Sequence, residues 1–466
     1  MQTHFPSGGD SANGAGLVLA PFRGVRYDLS RVGGLANVTS PPYDVIGPET
    51  LERLLADSPY NVVRLILPAR SITSGEPSAR DAGLIAAARL ADWLTVGALA
   101  ADDAPALYVY EQRGDGWVQR GLIGLVGVGT DAVLPHEGVM PGPVAGRREL
   151  MKATRSNLEP ILLVYNGGGS VSQAGAGAAD GDGRAGAGNA DGAGAGGHGG
   201  TAGPASRLVD GTADGAPPLA VAVTDDGVTH RLWALTDPGA QAAIESDLAG
   251  RSALIADGHH RYAAYRELRD EMRDGGAGDG PWDYGLAYLV DADAYPLRLG
   301  PIHRVLPRLD PAEAARLSAG AFTVTPVPAE TALDRLMAAG MSGTAFLLAG
   351  REGRWLLTEP DKEQLTSAMP PEASPRWRAL DASVMQELLL AGLWSIKDND
   401  RDVLISHDAG EAIRMAASSG GTAVICNPMP LATVMDIAAH GEKVPRKSTS
   451  FGPKPRTGLV LRSFDE

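Results

Sequence analysis

The stretch whose reading decides the fold is Leu254–Met272, LIADGHHRYAAYRELRDEM. An apolar run ends at Asp257, Gly258 supplies a tight turn, and from His259 onward Tyr262, Tyr265 and Leu268 recur at helical spacing. The expectation is a buried strand, a turn and an amphipathic helix, with His259, His260 and Arg261 in the first helical turn. That turn exposes unpaired N–H groups and the positive end of the helix dipole, so cationic side chains are disfavoured there. They become favourable if an anion binds, and phosphate is the usual anion at such a junction. A plainer reading stands beside this one. Asp257 would be an N-cap, Gly258 a turn residue and the histidines half-buried polar packing.

The chain has 466 residues, 44% of them hydrophobic and only 5% aromatic, with a formal net charge of −15. An acidic chain of this kind is not expected to bind nucleic acid or anionic membrane over its whole surface, although a local basic pocket is compatible with it. One cysteine, Cys426, rules out an intramolecular disulfide, reads as a small core residue and fits a cytoplasmic location. The N-terminus lacks the basic and apolar regions of a signal peptide. No apolar run approaches the roughly 20 residues that span a bilayer.

Residues 1–16 are polar and expected to be disordered. An N-terminal α/β part is expected over 17–165, a Gly/Ala-rich insertion or linker over 166–216, and a C-terminal α/β part over 217–466; 165 and 217 also fit one continuous domain, with PILLVY pairing beyond the insertion. Within the first part Gly47-Pro48-Glu49 opens a helix, NVVRLILP reads as a buried strand, and PALYVYEQR and RGLIGLVGVG read as neighbouring strands. In the second, DDG signals a hairpin. LDASVMQELLLAGLW reads as an amphipathic helix capped by Asp381. The fold class expected is α+β, with mixed sheets and flanking helices.

Three constellations carry chemistry. The first is Asp257-Gly258-His259-His260-Arg261. The second is His136-Glu137 in LPHEG, an adjacent imidazole and carboxylate that suit general-base work or a solvated loop pair; it is not the HExxH zinc motif. Arg147, Arg148, Lys152 and Arg155 downstream read as a solvated helix face. The third is PRKSTSFGPKPRTG, with Arg446, Lys447, Ser448, Thr449, Lys454 and Arg456, a basic, hydroxyl-rich loop that suits an anion but lacks P-loop spacing. Asp44 in PPYDVI reads as a turn cap, and His303 as a satisfied core histidine. No CxxC pair, GxSxG elbow or GxGxxG fingerprint is present.

SPPYDVI, NVVRLILP, LPHEG with LMKATRSNLEPILLVY, IADGHHRYAAY, GPIHRVL and KSTSFGPKPRTGL occur in this order. Together they resemble the bacterial and archaeal family called domain of unknown function 1015, from about Pro21 to the C-terminus. The Gly/Ala tract looks like an insertion relative to the family pattern. More narrowly, the Asp-Gly-His-His-Arg turn is similar to the phosphate-binding turn of the ParB/sulfiredoxin-like superfamily, which implies such a portion around 217–305. That superfamily includes nucleotide-dependent free serine kinases, in which the Asp of this turn and a more N-terminal Glu are implicated in phosphoryl transfer. The resemblance implies roles for Asp257 and, as the candidate upstream carboxylate, Glu137.

The function expected is phosphotransfer from ATP or ADP, with Mg²⁺, to a small hydroxyl compound such as serine. Asp257, Glu137 and His136 would be catalytic. Gly258, His259, His260, Arg261, Lys447, Ser448, Thr449 and Lys454 would hold phosphate. The rivals are a ParB-like nucleotide-binding regulatory module without turnover, a metal-dependent hydrolase built on His136, Glu137, His259, His260 and Asp257, and an interaction protein with a fossil site.

Overall fold

The computed structural model describes residues 16–68, 78–168, 202–399 and 401–465. The fold is α+β with mixed sheets. The largest sheet runs in the order Val133–Leu134, Ala253–Asp257, Ile161–Tyr165, Tyr284–Asp291, Trp117–Gly127, Leu107–Gly114, Thr229–Leu235, Ala220–Val223, with Leu19–Ala20 paired to Trp117–Gly127. Ile161–Tyr165 lies antiparallel to Ala253–Asp257 and parallel to Tyr284–Asp291. Strands from before and after the Gly/Ala tract therefore share one sheet. Ile161 to Val164 are completely buried, as a run of branched apolar residues requires when both faces of a strand are covered.

A second, antiparallel sheet has the order Thr323–Pro326, Arg354–Thr358, Ala345–Ala349, Thr422–Cys426, His303–Leu306, Leu404–Ser406. Separate apolar clusters cover its two faces. Arg298–Gly300 pairs with Ser450–Gly452 and carries the chain from the first sheet toward the second. Gly24–Tyr27, Leu99–Ala101, Leu461–Ser463 and Ser156–Asn157 form a small sheet that ties both ends of the described chain together.

Local expectations fail in three instructive places. NVVRLILP is buried, but Val63–Ile66 is a helical turn rather than a strand. The Asn61 side chain accepts from the Val63 N–H and donates to the Asn37 and Thr39 carbonyls, a local capping arrangement that favours a turn. Of the expected linker, 169–201 lies outside the described residues, as do residues 1–15 of the N-terminus, but Pro204–Gly215 is a helix. It buries Ala205, Ser206 and Val209, and Ser206 donates to Asp291. Asp381 is the first helical residue, not the cap, and the segment continues as a π-helix over Val384–Leu393. No helix among the described residues is long and apolar enough to cross a membrane.

Candidate functional site

The strand Ala253–Asp257 ends in a bulge between Ile255 and Asp257, which re-aims the strand end. Gly258 follows at φ +98°, and a Cβ there would lie 2.8 Å from Ile161 Cγ2. Glycine is thus required twice, by backbone conformation and by close approach. The helix His259–Asp274 begins immediately.

Asp257 accepts from Arg261 Nη2 at 2.6 Å on one oxygen and from Lys454 Nζ at 2.6 Å on the other. Lys454 Nζ also reaches Asp44 Oδ2 at 2.7 Å. Burial works against the Lys454 ammonium, but Asp257 and Asp44 outweigh it and raise its pKa. Burial likewise opposes charge on Asp44, while Lys454 and Arg261 hold its pKa below the usual carboxylate range. Asp44 sits in the turn Tyr43–Val45 after the paired prolines. Its side chain points to Lys454 and is the most exposed of this group, at 38%, which corrects the reading of Asp44 as a simple turn cap.

Arg261 is buried and committed. Its Nη1 donates to the Pro160 carbonyl at 2.5 Å and its Nη2 to Asp257, and the Glu159 carboxylate lies within Coulombic reach. Glu159 accepts from the Tyr43 N–H and pairs with Arg147, whose guanidinium lies 4.2 Å from the Tyr43 ring centroid. Arg147 is therefore not part of a solvated face, although Arg148 and Lys152 do pair across to Glu267 and Glu271 on the neighbouring helix.

Burial favours the neutral form of all three imidazoles. Thr449 Oγ1 donates to Glu137 Oε1 at 2.9 Å and lies 3.0 Å from His136 Nε2. The His136 N–H approaches His259 Nε2 at 3.4 Å, and the Met140 N–H approaches His260 Nε2 at 3.1 Å. A ring nitrogen that accepts carries no proton. Burial pushes His136 down to about 4, holds His259 well below the ordinary imidazole value and is the main cause that lowers His260. The histidines thus pin the loop 136–140 to the helix start. The cost of cations at a helix N-terminus is avoided because these side chains are not cations.

The basic loop completes the assembly. Arg304, itself buried, donates to the Lys447 and Arg446 carbonyls at 2.9 and 3.0 Å. Ser448 Oγ donates to the Pro445 carbonyl. Lys447 and Lys454 both lie within Coulombic reach of Glu137, whose pKa is raised by burial against the Thr449 hydrogen bond. The structure therefore brings LPHEG, DGHHR and the KST loop to one place. It adds Asp44, Tyr43, Glu159, Arg147, Arg304 and His407, none of which was singled out as a site residue. Tyr43 and Asp44 lie in SPPYDVI, Glu159 in LMKATRSNLEPILLVY and Arg304 in GPIHRVL, Arg147 belongs to the downstream cation cluster, and His407 carried no sequence signal. Beside Lys454 opens a cleft of about 410 Å³, with Pro42, Gln112, His230, His407 and Arg456 on its walls.

Chemically, the cleft wall offers the Lys454 ammonium, which is paired with Asp44 and Asp257, together with Arg456, Asp226 and the imidazoles of His230 and His407. In this structure Arg261 Nη1 and Nη2 are bonded to the Pro160 carbonyl and Asp257, while His259 Nε2 and His260 Nε2 lie against backbone N–H groups of the loop 136–140. Among the described residues no group of three or more His, Cys, Asp or Glu side chains is placed to hold a metal ion.

Among curated proteins none matches the sequence. Among solved structures, a free serine kinase in complex with AMP aligns over 69% of this chain and 84% of its own at 15% identity, with a TM-score of 0.31. SbnI with a C-terminal truncation, from Staphylococcus aureus, aligns over 73% and 87% at 11% identity, TM-score 0.35. A conserved hypothetical protein from Pyrococcus furiosus aligns over 69% and 88% at 14%, TM-score 0.30. The family model described as protein of unknown function (DUF1015) matches residues 19–183 and 200–383, and the chain belongs to that family.

Proposed function

We propose that the protein is a nucleotide-dependent phosphotransferase acting on a small hydroxyl compound such as serine. The observation that carries this reading is the Lys454 ammonium held between Asp257 and Asp44, at the start of the helix His259–Asp274 and on the wall of an open cleft. Phosphoryl transfer needs positioning, positive charge on the phosphates and a base for the attacking hydroxyl. The first-turn N–H groups and Lys454 supply the charge. When Lys454 turns to a phosphate oxygen, Asp44 loses its partner, its pKa rises, and it accepts the hydroxyl proton. The acceptor oxygen bonds to the terminal phosphorus as the bond to the bridging oxygen breaks, releasing ADP from ATP or AMP from ADP. Mg²⁺, when bound, neutralises charge on the transferring phosphates. It needs only one or two carboxylates beside phosphate and water oxygens, and Asp257 is the one offered. Arg261, His136, His259 and His260 position the turn, and Glu137 with Thr449 anchors the basic loop.

A nucleotide-binding module without turnover is the second reading. The engagement of both Asp257 oxygens by cations favours it. Phosphorus NMR of the protein with Mg²⁺, ATP or ADP and a pool of amino acids and small alcohols separates the two. The phosphotransferase gives a new phosphomonoester signal that Asp44→Asn and Asp257→Asn both abolish, with nucleotide still bound. Nucleotide lines that broaden without product establish the module. Undisturbed nucleotide lines refute both.

A further inference from the structure

A second cavity, of about 570 Å³, lies beside the antiparallel sheet and shares no lining residue with the cleft at Lys454. It is built between the helix Ala332–Gly340, the loop following Cys426 and the π-helix Val384–Leu393. Four methionines line it: Met337, Met341, Met385 and Met429. Met337 and Met341 are 59% and 88% exposed at its mouth, and Leu333, one turn earlier, is also exposed. Met341 is the most exposed of the large apolar side chains among the described residues, and methionines around a concavity suit an apolar ligand because the thioether adapts its shape. The π-helix is a second, independent sign, since such turns are rare and cluster at functional sites.

Among the lining residues there is one carboxylate, Asp381, and no Lys, Arg or His. Thr344 hydrogen-bonds Asp381, and among the described residues no cation pairs with it. Arg304, whose charge reaches Cys426 on the cavity wall, spends its guanidinium on the carbonyls of Ile302, Arg446 and Lys447. A half-buried carboxylate in apolar surroundings without a cation is costly. A ligand ammonium would relieve that cost.

We infer that this cavity is a second small-molecule site, for a ligand with an apolar body and one ammonium group, seated on Asp381 and packed among the four methionines. Ser448 also lines the cavity, next to Lys447 and Thr449, so an occupant touches the loop that anchors the charged site. This inference does not rest on the phosphotransfer reading.

The test uses the full chain with ¹³C-methyl methionine and titrates hexylamine, 1-hexanol and hexanoate. Hexylammonium is expected to shift the Met337, Met341, Met385 and Met429 methyl signals saturably and to bind about tenfold more tightly than hexanol, the worth of one charged hydrogen bond. Hexanoate should not bind. Asp381→Asn should bring the amine down to the affinity of hexanol. Met341→Lys, at an exposed position, should have the same effect by repulsion and stands in if Asp381→Asn fails to fold. Equal affinities for amine and alcohol, an unchanged amine affinity in the variant, or shifts confined to other methionines would overturn the inference.

Discussion

Replacing Arg261 by methionine keeps most of the side-chain volume and removes the charge that organises the turn. Three groups lose a partner: Asp257, the Pro160 carbonyl and, through space, Glu159. Breaking a buried pair by removing one member costs about 3–5 kcal/mol. Asp257 keeps Lys454, and Glu159 keeps Arg147 at 3.5 Å, so the lower end applies. About 3 kcal/mol corresponds to a loss of roughly two orders of magnitude in the folded-to-unfolded ratio. The penalty should also depend on pH. Burial already raises the Glu159 pKa, and Arg261 is the largest force opposing it. Without Arg261 that pKa rises further, so on acidification Glu159 takes up its proton earlier than in the native protein and the buried charge is relieved. Urea unfolding of both proteins near pH 8 and at about pH 5.5 measures this, and the difference between them should shrink at the lower pH. A penalty under about 1 kcal/mol at the higher pH, or one that grows on acidification, would refute the picture of Arg261 as an internal strut.

Lys454→Met should weaken ATP binding at least about tenfold, as loss of one charge-assisted contact does, measured by calorimetry; the same variant should raise the Asp44 pKa, readable by carboxyl ¹³C NMR, and an unmoved Asp44 would break the proposed link. Gly258→Ala should cost about 1–3 kcal/mol, because it combines a left-handed backbone with a clash against Ile161, and a neutral result in thermal melting would contradict the turn geometry. Glu111 is fully buried among Arg113, Arg120 and Arg231, so Glu111→Gln should destabilise by about 3 kcal/mol near neutrality, again by urea unfolding. His136, His230 and His303 are each held down to about 4, burial being the first cause. Their folded forms stay neutral while the unfolded chain binds protons below about pH 6.5, so stability is full above that value and falls toward pH 4 by up to about 4 kcal/mol per pH unit. A flat urea midpoint across that window would show that these rings are not sealed from protons.

The sequence by itself determined the strand–turn–helix at Leu254–Met272, the DDG hairpin, the buried character of the apolar runs and the α+β class. Each rests on local periodicity and turn chemistry, which a contiguous stretch carries. It also marked three short polar motifs as chemically loaded. Only the tertiary structure decided that they meet, because Thr449 and Glu137 are 312 positions apart and Lys454 and Asp44 are 410 apart. No spacing rule spans such distances. Charge state was equally a tertiary matter. Imidazoles in a first helical turn are expected to lose basicity from local position alone, but the largest cause for His259 and His260, burial, comes from tertiary packing. That Arg261 bonds the Pro160 carbonyl and Asp257 was likewise visible only in the folded chain. NVVRLILP read as a strand because a short apolar run looks alike in either state, and the Asn61 hydrogen bonds that close it into a turn depend on where residues 37 and 39 come to lie. What patterning conveys is which groups leave water; which partner each one then finds is fixed by packing between segments that the sequence keeps far apart.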